Sequence, residues 1–495
     1  MLVTDTLSAA RDRSGFQWVL HHANHQPDAV AIAGGDAYRA LAANVSRLVD
    51  ALTHEGVSRG QVLGVETADR YLHLLILLAA EALSVTTMSL SPSELEPPAS
   101  LGRLCDRILV SRPNTSDDPA KTVVMTLDWI AAALARPAAL ERLDTPEPSP
   151  GFVVRLIKSS GTTGVPKVMA TTHAVLSGIV HSNLLDFPPR IARRVNFLCL
   201  YNFTVRAVHW RAWLALRTGG TICFTGGDVL LPAIRSGVGN FVSFMPGDLA
   251  RFVQSIPGDS DTGGRRPFDL RIDVSGGAVS NEVRRAARRM LTNDLNIIYA
   301  ANEIQRISRV DDDEVGTLFP EVSVEIVDDR GNALPLGHYG TIRARSDLMV
   351  KAYIDAPELT RAAFIDGWYH SNDIGFQPSA GKLIVLGRAD DMLNAGGVKI
   401  APRPIEERLM TITGVRDALV TTIGEGETSV LLAAAETGGD GDVMEQRAAM
   451  ERIASGYATD FRILVVAEFP RTETGKVLRE DVRRLWRQSA IAGMI

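Results

Sequence analysis

Residues 158–173 read KSSGTTGVPKVMATTH, and everything else in the chain takes its place around this stretch. The short apolar run Phe152 to Ile157 precedes it and predicts a buried strand, so the small and hydroxylated residues from Ser159 to Gly164 fall in the turn at its end. A phosphate fits such a turn. Gly161 and Gly164 let the backbone approach without a Cβ in the way, while the Ser159, Ser160, Thr162 and Thr163 hydroxyls and the loop N–H groups can donate to oxygens. Lys167 adds a point charge at the far end of the loop. Taken alone, a Gly/Ser/Thr cluster is more often an ordinary polar loop, so the rest of the chain has to decide.

The Walker pattern G-x-x-x-x-G-K-[ST] is excluded, because Val165 and Pro166 separate Gly164 from the lysine and Val168 stands where Ser or Thr should follow. The string SSGTTGVPK instead resembles the signature of the acyl-adenylate-forming superfamily: acyl-CoA synthetases, adenylation domains of nonribosomal peptide synthetases, and luciferases. Acyl- and aryl-CoA ligases are the nearest in type. The resemblance implies an α/β fold with a large N-terminal domain of α/β subdomains plus a β-rich subdomain, followed by a small mobile α+β C-terminal domain. The corresponding expectation is an N-terminal acyl- and nucleotide-binding domain over 1–388, a hinge at 389–391 and a mobile domain over 392–495.

Composition is compatible with that size. The 495 residues, 45% hydrophobic and 22% charged, are ordinary for a globular protein with large cores. A net charge of −6 gives no general attraction to nucleic acid or anionic lipid. Cys105, Cys199 and Cys223 are widely spaced without a metal-ligand pattern, and read as buried or incidental thiols of a reducing compartment. The N-terminus lacks a continuous apolar leader, and Tyr71 to Leu83, interrupted by His73 and Glu81, is too short to span a bilayer and reads as a core helix; the expectation is a cytoplasmic protein. Arginine far outnumbers lysine, whose positions are 121, 158, 167, 351, 382, 399 and 476, so a retained lysine marks a place where a compact ammonium suits better than a planar fork.

The text from Phe16 to Pro92 alternates helix and strand patterns: an amphipathic Ala40–Leu52, a strand-like Val62–Glu66, then the buried helix. Ser93 to Pro150 carries helical text around Trp129 to Leu143 and no chemistry. Past the loop, Val195 to Asn202 reads as a strand delivering YNFTV, followed by His209 and Trp210 in an apolar helical pattern. In the resembled family this region begins the acyl pocket. Amino-acid-activating members place an Asp where Asn202 stands, to meet the substrate ammonium, and a neutral amide cannot do that. Asn202-Phe203 is similar to aryl-acid-activating relatives, which favours an acid without an α-amino group. Phe203, His209 and Trp210 read equally well as packed core.

Ser275-Gly276-Gly277-Ala278 follows an apolar strand and matches the family's SGGA turn beside the acyl group, with Ser280 as a helix N-cap. Arg284, Arg285, Arg288 and Arg289 on the next helix predict a solvated face, with Val283, Ala287, Met290 and Leu291 toward the core. IIYAANE, Ile297 to Glu303, stands against a family pattern of Tyr-Gly-x-Thr-Glu. The resemblance implies that Tyr299 stacks near adenine, that Asn302 occupies the place of the threonine on the α-phosphate, that Glu303 holds magnesium, and that Ala300 and Ala301 border the acyl group. Gly316 to Gly340 reads as strand and turn.

GWYHSNDIG, Gly367 to Gly375, aligns Asp373 with the carboxylate that accepts both ribose hydroxyls. VLGRADDMLNAGGVKIAPRPIEE, Val385 to Glu407, is the most specific match after the loop: Arg388 at the ribose, Asp390 on the hinge, and Gly396, Gly397 and Lys399 turning toward CoA. PRTETGKVLRE, Pro470 to Glu480, places Lys476 where relatives keep the lysine of the adenylation step. ATP or AMP, or an acyl-adenylate, with Mg2+ and coenzyme A are the implied cofactors. A small carboxylic acid and CoA are the implied partners, with a carrier-protein thiol, an adenylate-supplying enzyme and a homodimer left open, and neither nucleic acid nor a membrane span expected.

Val168, Ala300, Asn302, Asn372 and Pro404 depart from the family pattern, several of them around the ATP phosphates, which predicts slowed or lost adenylation. Three readings follow: a complete acyl- or aryl-CoA ligase; a specialist that makes the thioester from an acyl-adenylate made elsewhere; and a nucleotide-binding partner protein without catalysis. Retained Glu303 and Lys476 speak against the last.

Overall fold

The computed structural model describes residues 13–96, 100–113, 118–142, 149–159, 166–256, 268–389, 392–396, 398–424, 429–438, 442–470 and 477–491. The chain divides into two compact units: Met1–Asp313 with Thr317–Ser323 and Ala344–Tyr369, and Glu314–Gly316 with Val324–Arg343 and His370–Ile495.

In the first unit, strands β1 (Val62–Glu66), β2 (Thr86–Ser89), β3 (Arg107–Val110), β4 (Thr122–Val124), β5 (Val153–Ser159) and β6 (Lys167–Thr172) form a sheet in the order β4-β3-β1-β2-β5-β6. All neighbours are parallel except β5 and β6, which run antiparallel with Ser159 opposite Lys167. Near-continuous apolar runs such as VLGVE suit strands covered on both faces. The predicted helices are present as Tyr38–His54 and Arg70–Ala82, the latter capped by the Asp69 carboxylate, which accepts from Tyr71 N and Leu72 N.

A second sheet of the same unit contains β7 (Phe197–Cys199), β8 (Ile222–Phe224), β9 (Phe241–Phe244), β10 (Arg271–Ser275), β11 (Asp294–Ala301) and β12 (Gln305–Val310), in the order β8-β7-β9-β10-β11-β12. The first four pairings are parallel and the last is antiparallel, with a bulge between Tyr299 and Ala300 that changes the aim of the residues after it. Phe16, Leu41, Leu75, Phe203, Trp213 and Phe241 share one core, and Leu198, Leu249, Ile272 and Leu295 share another. Each such side chain removed from water contributes roughly 1.5–3 kcal/mol before entropy is counted.

The second unit holds most of strands Ser323–Val327, Gly340–Arg345 and Trp368–Phe376 and all of Lys382–Arg388, paired in that order, with a hairpin of Leu393–Ala395 and Val398–Ile400 and a sheet of Val415–Ile423, Val430–Thr437 and Phe461–Val466. The Asp328 carboxylate accepts from Arg330 N and Asn332 N and closes the turn predicted after VEIV.

The α/β reading is borne out, and some details need correction. The strand expected over Val195–Asn202 covers only Phe197–Cys199, because the chain leaves the sheet before Tyr201 and Asn202. The helix expected around Trp129 to Leu143 is Leu127–Leu134, followed by the separate turn Leu140–Arg142. Arg284 is not on a solvated face. It is 1% exposed, donating from Nε to Val279 O at 2.9 Å and from Nη1 to Asp311 O.

Candidate functional site

In the first unit the candidate residues collect at the carboxyl ends of parallel strands, where open α/β sheets place ligands. Asn202 follows β7, Gly276 to Ala278 follow β10, Ala300 and Ala301 end β11, and Asn302 and Glu303 stand in the turn after it. The side-chain amide of Asn202 donates to Thr67 O at 2.8 Å and accepts from Thr204 N at 3.3 Å, so it ties the segment after β7 to the one after β1. Gly276 has φ +97°, a left-handed conformation that a side chain would resist. Gly276 and Gly277 are exposed and Ala278 is half-buried; Ala300 is exposed beside half-buried Ala301. Phe203, His209 and Trp210 are buried, with Phe203 packed 5.2 Å from the His73 ring, His209 4.0 Å from Trp213, and the Arg211 guanidinium 4.5 Å from the Trp210 ring.

The strands on either side of the glycine–hydroxyl loop are paired, since Ser159 and Lys167 are register partners. Lys158 forms a close ion pair with Glu94, whose Oε2 also accepts from Ser91 N and Oγ at 2.7 Å each. Burial pushes the Lys158 ammonium down to about 8. The Asn302 amide donates to Lys158 O at 3.4 Å, a long contact that places the end of β11 beside the root of the loop.

Glu303 is 6% exposed and accepts from the Tyr353 hydroxyl at 2.8 Å, while its own carbonyl receives Val350 N at 2.8 Å. Lys167 Nζ lies 5.1 Å from the centroid of the Tyr353 ring, within cation–π range. Tyr299 is half-buried opposite Ser308. A single carboxylate fits magnesium, which keeps several waters and leans on substrate phosphates instead of a protein cage. Among the described residues no cluster of three or more His, Cys, Asp or Glu could hold a metal ion.

In the second unit Asp373 and Arg388 are register partners of an antiparallel pair, so their side chains emerge on one face. Asp373 N donates to Ser371 Oγ at 3.2 Å, and the buried Ser371 hydroxyl donates to Ile342 O at 2.8 Å, which fixes the strand that carries the carboxylate. Gly396 borders a cavity of about 390 Å³ together with Ser429, Tyr457, Thr459 and Asp460. Lys399 lies opposite Asn394 in the hairpin. Ser160, Gly161, Thr162, Thr163, Gly164, Asp390, Gly397 and Lys476 lie outside the described residues.

The sequence reading missed Tyr353, Glu94 and Arg206. No local pattern marks the first two. Arg206 stands between Asn202 and His209, and an arginine among apolar residues is a readable signal. Its guanidinium meets the Gln305 amide, whose oxygen, turned toward it, accepts from Nε at 3.3 Å and Nη1 at 3.1 Å.

No helix among the described residues is long and apolar enough to cross a membrane. Residues 19–354 match the model of the AMP-binding enzyme family. A fatty acid–[acyl-carrier-protein] ligase, MmaC, of Mycobacterium marinum is 25% identical, covering 94% of this chain and 96% of its own. A salicylyl-CoA synthase / salicylate adenylyltransferase of a Streptomyces species is also 25% identical, over 94% of this chain and 92% of its own. The crystal structure of ATP-bound MatB from Rhodopseudomonas palustris superposes with a TM-score of 0.77 at 19% identity, covering 92% of this chain and 95% of that one.

Proposed function

The chain belongs to the AMP-binding enzyme family, and on that premise we propose that it is an acyl-CoA synthetase converting a carboxylic acid without an α-amino group to its CoA thioester. A carboxylate is a poor electrophile because its charge is delocalised, so a thiol needs a better leaving group to displace. The acid's oxygen attacks the α-phosphorus of ATP, the bond to pyrophosphate breaks, and the acyl-adenylate remains. The thiol sulfur then attacks the acyl carbon, the bond to AMP breaks, and the thiol proton passes to solvent.

The observation that carries this reading is that the Asn302 amide meets Lys158 O at the root of the glycine–hydroxyl loop while the Tyr353 side chain touches both Glu303 and Lys167, where a triphosphate would be held. In the proposal the residues Ser159 to Gly164 cradle the phosphates, and Lys167 and Lys476 stabilise the charge that develops on them. Tyr299 stacks on adenine, Asn302 meets the α-phosphate, and Asp373 and Arg388 hold the ribose. Glu303 would hold magnesium, which would supply positive charge to the phosphates. Asn202, Phe203, His209, Trp210, Gly276, Gly277, Ala278, Ala300 and Ala301 surround the acid. Rotation about Asp390 withdraws Lys476 and brings Gly396, Gly397 and Lys399 to the thiol's path.

Asn302 favours a second reading. Its amide occupies the place of a hydroxyl at the reacting phosphate, which supports a protein specialised for thioester formation from a preformed adenylate. Pyrophosphate exchange into ATP, measured across a panel of acids, tests the first half-reaction: acid-dependent exchange supports a complete ligase, and its absence with every acid removes that reading.

A further inference from the structure

Arg206 is the first residue of the helix Arg206–Arg217, whose start has no side-chain cap. A cation there sits at the positive end of the helix dipole, where an anion would be favoured. Its only polar partner among the described residues is the neutral amide of Gln305. It forms no ion pair among them, although the charge of Glu303 acts on it from beyond contact distance. Burial outweighs that charge and pushes the guanidinium down to about 9, so the cation is held in surroundings that disfavour it. The residue as a whole is half-buried, at the start of the helix and not in its packed middle.

What the guanidinium faces follows from backbone register. Gln305 has φ +77°, a costly conformation for a side-chain-bearing residue, and it pairs with Ala301 across the turn between β11 and β12. Arg206 therefore meets the strand end that carries exposed Ala300 and half-buried Ala301, and it stands four residues after Asn202 on the segment that follows β7. Two of the three stretches proposed to surround the acid thus meet at one guanidinium that has no ion-pair partner among the described residues. A planar fork with five donors matches a carboxylate in a bidentate arrangement.

We infer that Arg206 is a specificity residue for the distal end of the acid, and that the substrate is a carboxylic acid carrying a second carboxylate away from the one that reacts. This inference rests on the proposed ligase reading and names its substrate class. The adenylate's own phosphate is a weaker candidate for the fork, because in the proposed reading the loop at Ser159–Lys167 serves that end of the site.

The test compares saturated dicarboxylic acids of increasing chain length with their monomethyl esters, which keep the chain and remove only the distal charge, as substrates for thioester formation by the full-length protein. For one chain length kcat/KM is expected to favour the diacid on the order of ten- to a hundredfold, the discrimination one charge-assisted bidentate contact supplies. Arg206→Met should invert the ratio and Arg206→Lys should keep part of it. Equal use of diacid and ester by the natural protein, or an equal loss of both in Arg206→Met, overturns the inference.

A second measurement separates this failure from failure of the ligase reading. Non-hydrolysable acyl-sulfamoyl adenosines with and without the distal carboxylate are titrated calorimetrically. Tighter binding of the charged analogue, lost in Arg206→Met, supports the inference whether or not turnover is seen. Equal binding overturns it alone, and binding of neither overturns the adenylate site together with it.

Discussion

The Tyr353 hydroxyl donates a 2.8 Å hydrogen bond to Oε1 of Glu303, and both side chains are buried, at 4% and 6% exposure. Burial, and then the neighbouring Glu303 charge, push the tyrosine hydroxyl well above its ordinary pKa, so it remains the donor throughout the physiological range. Tyr353→Phe leaves that carboxylate oxygen buried without its donor. A hydrogen bond to a charged group contributes about 1.5–3 kcal/mol, and a loss of that size is expected in urea unfolding at neutral pH. Repeating the change in a Glu303→Gln background should cost clearly less; an equal cost would show that the two residues are not coupled.

Asn302→Thr is expected to accelerate acid-dependent pyrophosphate exchange. Among the described residues the substitution removes one side-chain hydrogen bond, from the Asn302 amide to Lys158 O, which is long at 3.4 Å, whereas a well-placed hydroxyl on the reacting phosphate is worth on the order of tenfold or more. A rate that is unchanged or lower would mean that this position does not limit the first half-reaction.

Arg284→Met should lower the unfolding free energy by about 2–4 kcal/mol, since it strands the Val279 and Asp311 carbonyls that the buried guanidinium serves. Exposed Arg285→Met on the same helix should change it by less than about 0.5 kcal/mol. Matching effects at the two positions would contradict the buried placement of Arg284.

Acid stability should reflect two opposing sets of groups. His73 is fully buried and pushed down to about 3 by burial and then by the Arg155 charge, and His209 is pushed well below its ordinary value for the same reasons in the same order. The unfolded chain binds their protons first, so stability falls as pH drops below about 6.5. Glu81 runs the other way. Its oxygens accept from Gly15 N and Trp213 Nε1 at 2.8 Å, yet burial pushes it up to about 7, so the folded state holds the proton longer and stability declines as pH rises from about 4.5 toward 7. Burial holds His21 and His22 down as well and Glu406 up, so depressed histidines outnumber raised carboxyls and the optimum is expected near pH 6.5. Glu81→Gln should weaken the decline toward pH 7, as read by urea midpoints across pH, and should leave the acid limb in place.

The sequence disclosed the layered α/β plan because strand runs such as Val62–Glu66 and helices such as Arg70–Ala82 have local causes, in apolar periodicity and in caps. The order of motifs along the chain also placed Asn302 and Glu303 after a strand. The partners of those residues were not legible. Tyr353 reaches Glu303 across 50 positions, and Glu94 reaches Lys158 across 64, through contacts that no local pattern encodes. Arg284 was misread because its neighbours Arg285, Arg288 and Arg289 have the composition of a wet face, while the rotation of the helix turned one arginine of the four inward. Ser159 and Lys167 were expected at two ends of a loop, and the antiparallel pairing of β5 and β6 sets them side by side.

The most direct measurement is a paired assay on one preparation of the full-length protein. One arm receives ATP, magnesium, CoA and a panel of carboxylic acids; the other receives chemically prepared acyl-adenylates with CoA; both are read as thioester by mass. A complete acyl-CoA synthetase gives thioester in both arms, with acids lacking an α-amino group as its substrates, and this is the result expected. Thioester from preformed adenylates alone would contradict the complete ligase and direct attention to an enzyme that supplies the adenylate, and thioester in neither arm would contradict both readings.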